Sequence, residues 1–156
     1  IEGNPGQDAT YWRSTAFIDE LRRIAPEIQI LDRQTARWDR ARATAVAENF
    51  LTTYADLNAI MAQDDNMAMG ALQAIKAAGK SGVVRLISIN ASKEGLEAIR
   101  DGEIYGSCTQ SPTFEGIYTA RVIRDVANGW PPVPRWIRNP VLRVDRRNAH
   151  QVFGEW

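Results

Sequence analysis

The chain has 156 residues, 44% of them hydrophobic and 24% charged, enough for one ordinary domain with a real core. Nineteen basic residues balance nineteen acidic ones, so no charge excess drives nucleic-acid binding, and no apolar run approaches the roughly 20 residues needed to span a bilayer. A single cysteine, Cys108, excludes an internal disulfide and a multi-Cys metal site, and the only histidine, His150, leaves almost no material for histidine chemistry.

Ile1-Glu2-Gly3 reads as the end of a strand running into a turn, Gly3-Asn4-Pro5-Gly6. With no initiator Met and no signal peptide, this opening is expected of a fragment of a longer chain or of a processed form. Asp8 is a candidate N-cap for a helix to Ile24, with Ala9, Ala16, Phe17, Leu21 and Ile24 as its inner stripe. Arg13 leans towards that stripe, either snorkelling out at its edge or aimed into a polar cleft. Pro26 ends the helix, and Ile28-Gln29-Ile30-Leu31 reads as a second strand. After a polar loop, Asp39 caps a helix carrying Ala43, Val46, Ala47, Phe50, Leu51 and Tyr54 inside. Trp38 at that junction either staples the first turn or offers its flat face to a ligand.

The stretch from Asn58 to Ala78 organises the rest. Ala59-Ile60-Met61-Ala62 suits a strand buried on both faces. Asp64, Asp65 and Asn66 are helix-start residues, and Met67, Ala71, Leu72, Ile75 and Ala78 follow at helical spacing. Two carboxylates therefore stand where a strand hands over to a helix, the place where open α/β sheets bind ligands. Each of the two reads alone as a helix cap or as a ligand contact. Val83 to Ile89 is a fourth strand ending at Asn90, followed by a short helix from Lys93 to Asp101. Ile104 to Thr109 is a fifth strand ending at Gln110, and Pro112 suits the first turn of a helix to Asn128. Pro131, Pro132, Pro134 and Pro140 then exclude a long helix, Val141 to Val144 is a strand candidate, and Asp145 to Phe153 suits a helical turn or two. The β-α alternation predicts a three-layer open parallel α/β sheet with right-handed crossovers and helices on both faces.

The polar residues at the strand ends are Asn4 with nearby Arg13, Trp38 and Asp39, Asp64 and Asp65, Asn90, and Gln110. They bring a guanidinium fork, carboxylate acceptors, two amides and an indole face to one rim, a set suited to a small ligand dense in hydroxyls. Rival chemistries fit less well. Adjacent carboxylates in a turn point apart, whereas glycoside hydrolysis needs two facing across one bond. No EF-hand pattern follows the acidic turn, and nucleophile-elbow, P-loop and dinucleotide motifs are missing. No cofactor is implied. Trp12, Trp130, Trp136 and Trp156 read as packing or surface residues, and His150 as a solvated tail residue.

Ala62-Gln63-Asp64-Asp65-Asn66-Met67-Ala68-Met69-Gly70-Ala71-Leu72-Gln73-Ala74-Ile75-Lys76-Ala77-Ala78-Gly79 strongly resembles a signature of the periplasmic sugar-binding proteins of ABC transporters, the ribose/galactose type whose type I binding fold is shared with LacI-type repressors. The resemblance covers most of the chain. Gly6 to Phe17 is similar to the helix bearing the family's ligand arginine, at Arg13. Gln34 to Arg40 resembles the loop with the stacking aromatic, at Trp38. Ile87 to Asn90, Glu97 to Gly102, Gln110-Ser111-Pro112 and Asn139 to Asn148 match later segments, Gln110 falling at the hinge glutamine. Asp64 stands where the family more often has Asn, and Asn90 where it has Asp.

The resemblance implies a non-enzymatic binding protein with Arg13, Trp38, Asp64, Asn90 and Gln110 as ligand residues. It implies a monosaccharide ligand, a membrane permease as partner and a periplasmic location; the effector domain of a LacI-type regulator is the alternative. It further implies that residues 1–110 form the C-terminal lobe, that 111–129 form a helix made to pack on an N-terminal lobe, and that 130–156 form a Pro-rich crossing segment with a closing strand. Alone, the 112–128 helix is expected to self-associate through its apolar face.

Overall fold

The structure is a computed structural model, and it describes residues 1–130 and 137–155. Its helices are α1 (Asp8–Ile24), α2 (Arg40–Thr53), α3 (Asp65–Ala77), α4 (Lys93–Arg100) and α5 (Pro112–Ala127). Its strands are β1 (Ala59–Met61), β2 (Arg85–Ile87), β3 (Gly106–Cys108) and β4 (Arg143–Asp145), in that order across one sheet. The first three run parallel, and β4 closes the edge antiparallel to β3. The sheet is thus mixed rather than wholly parallel, because the chain comes back along β3 after α5 instead of crossing over once more. The short helical turn expected in the tail is a 3-10 turn, Ala149–Gln151.

Ile28 to Leu31 forms no strand. The segment is exposed, Ile28 by 54% and Leu31 by 47%. A strand needs a ladder partner, and the nearest backbone pairing of this segment is the parallel bridge Glu2–Thr35 further along. The connection through α1 leads outward from Ile1–Glu2 to this segment, whereas those through α2, α3 and α4 lead back the other way. Right-handed crossovers in opposite directions place α1 on one face of the sheet and α2, α3 and α4 on the other.

The core centres on α3, which buries Met67, Ala68, Gly70, Ala71, Leu72, Ala74 and Ile75. Ala78, expected on that stripe, lies exposed just past the helix end. Small residues let α2 come close, and a Cβ on Gly70 would collide with the Arg40 carbonyl. α2 contributes Ala43, Ala47, Phe50 and Leu51, with Val46 and Tyr54 partly buried. The stripe of α1 differs from expectation. Thr10 and Ser14 are buried, Phe17 and Leu21 half-buried, and Ala9, Ala16 and Ile24 exposed. The alanines carry too little apolar surface to fix a face, and the buried hydroxyl side has polar partners at the sheet end, described below. Gln7, not Asp8, is the N-cap residue of α1. Trp12 and Trp130 are exposed. Pro131, Pro132, Pro134, Trp136 and Trp156 lie outside the described residues.

Candidate functional site

Arg13 projects from the second turn of α1 over the ends of the strands. Its Nη1 donates to the Gln63 carbonyl at 2.6 Å, and its Nη2 to Gln110 Oε1 at 2.6 Å and Asn90 Oδ1 at 3.3 Å. One side chain thus ties the exits of β1, β2 and β3. Its guanidinium carbon lies 5.7 Å from the centre of the Trp38 ring, within cation–π reach. Burial lowers the Arg13 pKa, and the negative Asp64 works against that shift.

Asp64 is the N-cap of α3 and accepts from the Met67 amide at 2.7 Å. Burial raises its pKa, the neighbouring Asp65 adds to the rise, and the Met67 amide and Arg13 oppose it. Asp65 does not cap its own helix. It lies 2% exposed and spans to the next crossover, accepting from the Ser92 amide at 2.5 Å and from Ser107 Oγ at 3.4 Å. Ser107 Oγ accepts in turn from the Ala91 amide at 3.2 Å. A Cβ on Gly95 would overlap the Asp65 carboxylate, so glycine at the start of α4 is what lets the carboxylate in. Burial raises the Asp65 pKa, against the bonds it accepts from Ser92 and Ser107.

Gln110 donates its Nε2 to Glu115 at 3.3 Å, and its backbone amide to the Asn90 carbonyl at 3.1 Å. Asn90 and Ala91 have φ of 113° and 52°, and Arg37 and Trp38 have φ of 56° and 62°. These four are the only non-glycine residues with positive φ among those described, and both pairs flank the rim. Strained backbone of this kind persists only where its surroundings hold it in place. Here the Asp65–Ser107 network holds the first pair. The second is held through Trp38, whose carbonyl accepts from Asn66 Nδ2 at 2.8 Å and whose Nε1 donates to Gln7 Oε1 at 2.6 Å.

The structure therefore gathers Arg13, Asn90 and Gln110 by direct bonds, places Trp38 beside Arg13, and sets Asp64 in its field. Two supporting residues, Gln63 and Gly3, escaped the sequence reading, and Asp65 was read without its partner. Gln63, 1% exposed, donates to the Thr10 carbonyl at 3.1 Å and to Ser14 Oγ at 2.7 Å, and accepts from the Gly3 amide at 2.9 Å. It fixes α1, and with it Arg13, against the sheet. A glutamine directly after an apolar strand was the available signal. Gly3 matters because the Trp38 ring lies against it, leaving no room for a Cβ. Asp65 was visible as a polar residue, but its link to the next loop was not. Among the described residues, no cluster of His, Cys, Asp or Glu is placed to hold a metal, and no helix is long and apolar enough to cross a membrane.

The model of the periplasmic binding protein domain matches residues 1–130. This chain belongs to that family. Among curated relatives, it is 32% identical over 130 residues to the ribose import binding protein RbsB of Bacillus subtilis, covering 83% of this chain and 41% of the relative. It is 33% identical over 131 residues to the fructose import binding protein FruE of Bifidobacterium longum, covering 83% and 39%. Among solved structures, a periplasmic solute binding protein of an ABC transporter from Actinobacillus succinogenes, with D-allose bound, superposes with a TM-score of 0.91 at 26% identity. That match covers 97% of this binding-domain chain and 53% of the solved one. The chain spans about two fifths of the length of the curated relatives it matches.

Proposed function

We propose that this chain is the sugar-contacting C-terminal lobe of a solute-binding component of a carbohydrate import system, and that it binds a monosaccharide or a similar polyol rather than transforming one. The convergence of Arg13 on three strand exits carries the reading. Trp38 stacks on the apolar face of a sugar ring. Asp64 accepts from its hydroxyls, Arg13 donates to others, and Asn90 and Gln110 both donate and accept, each charge-assisted bond contributing roughly 1.5–3 kcal/mol. The ligand lies between this lobe and a second one, which closes about a hinge near Gln110 and presents the loaded protein to a membrane permease outside the cytoplasm. The names of the matched relatives, import binding proteins rather than regulators, favour this reading over the effector domain of a repressor.

The domain boundaries support it too. α5 buries no residue, and Phe114, Tyr118, Val122 and Ile123 line a shallow groove with Ile137. In this reading α5 packs on the second lobe; in its absence the same face drives self-association.

Half a cleft binds weakly, so the test is nuclear magnetic resonance of this chain with D-ribose, D-allose, D-fructose or myo-inositol at millimolar concentration. The Trp38 indole and the Asn90 and Gln110 side-chain amides are expected to shift together and saturate, and Arg13→Ala to abolish the shifts. A silent rim with every sugar, or shifts unchanged in Arg13→Ala, would overturn the proposal.

A further inference from the structure

Asp64 and Asp65 are neighbours in the chain, but their side chains serve different places. Asp64 is half-buried at the rim. Its Oδ1 accepts from the Met67 amide, and its Oδ2 has no hydrogen bond among the described residues. Asn90, at the next strand exit, is half-buried too. Arg13 donates to its Oδ1, which leaves the Nδ2 amide, a donor, as the group turned away from the guanidinium. The rim therefore presents an acceptor from one crossover and a donor from the next.

The backbone that carries Asn90 is held amide by amide. The Asn90 amide donates to the Cys108 carbonyl at 2.9 Å, the Ala91 amide to Ser107 Oγ at 3.2 Å, and the Ser92 amide to Asp65 Oδ2 at 2.5 Å. Ser107 Oγ donates in turn to Asp65 Oδ1 at 3.4 Å. The Asp65 carboxylate thus holds two successive amides, one directly and one through a hydroxyl. Both residues of the turn are in the left-handed half of backbone space, Asn90 at φ 113° and Ala91 at 52°. A residue with a Cβ leaves that region unless its surroundings keep it there. The turn also decides the direction in which the Asn90 side chain leaves the strand, because φ sets where the Cβ points. One peptide bond separates Asp65 from Asp64, so a single short path links the two polar groups of the rim.

We propose that Asp65 is a positioning residue that fixes the spacing and mutual direction of Asp64 and Asn90. The rim is thereby selective for the relative configuration of two ligand hydroxyls, one donating to Asp64 and one accepting from Asn90. This rests on the sugar reading of the rim given above. Asp65 itself touches no ligand, since it lies 2% exposed beneath the turn. Arg13 still holds the Asn90 oxygen when the Asp65 link is cut. Cutting the link therefore loosens the direction of Asn90 without removing it from the site, and selectivity falls more than affinity.

The test is a resonance titration of this chain with two pairs of sugars that differ at one hydroxyl, D-ribose with D-arabinose and D-allose with D-glucose. A misdirected hydroxyl loses about one hydrogen bond, so the parent is expected to prefer one member of at least one pair by about fivefold. Ser107→Ala removes the link to Ala91 and keeps Asp65. It is expected to lower that ratio below about twofold, to speed exchange at the Ala91 amide, and to shift the Asn90 side-chain amide before any sugar is added. Asp65→Asn is expected to do the same, and the milder Ser107 change decides the matter should Asp65→Asn not fold. Ile75→Val shortens a core side chain further along α3, 2% exposed, and is expected to cost stability while keeping the parent ratio. A ratio that fell equally in Ile75→Val would mean general loosening and would overturn the proposal. So would a parent that binds these sugars with no preference, or a Ser107→Ala chain with the ratio and the Asn90 amide both unmoved. A parent silent with every sugar is a separate result: it removes the sugar reading, and the selectivity inferred from it goes too.

Discussion

α3 and α5 read alike in the sequence, each an amphipathic helix set after a strand end, yet the fold treats them oppositely. α3 buries eight of its thirteen residues, and α5 none of its sixteen. Amphipathic spacing reports that a helix has an apolar side; it does not report that the cover for that side belongs to the same stretch of chain. α3 finds its cover in α2, brought close by Gly70, and in α4. Among the described residues, α5 meets Ile137 and Asn139 at the groove edge and Glu155 at its first turn.

The sharpest way to break this contrast is a matched pair of truncations. Met67→Ala, in a site with no solvent exposure, is expected to lose about 3 kcal/mol in urea unfolding. Ile123→Ala on α5, 65% exposed, is expected to change stability by less than about 0.5 kcal/mol in the same experiment. Similar losses in both would mean that α5 is covered in solution.

Asp65→Ala comes next, at about 1–3 kcal/mol, because it strands the Ser92 amide and Ser107 Oγ in the interior. Asp65→Asn separates charge from bonding. The folded-state pKa of Asp65 is raised above 3.8, so on acidification the folded state takes up the proton before the unfolded state does. Stability from this group is therefore fully present below 3.8 and falls as pH rises through the folded-state pKa. The parent is expected to gain on Asp65→Asn as pH is lowered from 7 towards 4, measured by urea midpoints at each pH; a constant difference would remove the buried charge from the account.

Gly3→Ala is expected to act on the rim more than on the core, because the added Cβ displaces Trp38. A loss of about 1 kcal/mol, together with a shifted Trp38 indole resonance and weakened sugar shifts, is the expected result. An unmoved resonance would show that the ring does not rest on Gly3.

The same contrast separates what each level of description reached. Local chemistry made α2, α3, α4 and α5 legible: Asp39, Asp64, Ser92 and Ser111 each accept from a first-turn amide, a bond made within four residues. The five residues placed at one rim from the sequence stand close together in the fold, because a strand end fixes where its next residue goes. Ile28 to Leu31 misled because β propensity carries no information about whether a neighbouring strand is present. The stripe on α1 misled because its buried side is held by Gln63, some fifty residues away.

By itself, then, the sequence determined the five helices, the caps Asp39 and Asp64 and the polar residue delivered by each strand end, since each depends on neighbours a few positions apart. Only the tertiary structure decided that Asp65 serves the next crossover, that Gln63 and Gly3 seat Arg13 and Trp38, and which apolar faces stay open. Those outcomes depend on backbone approach and long-range pairing, where one carbonyl or one missing Cβ settles what fits.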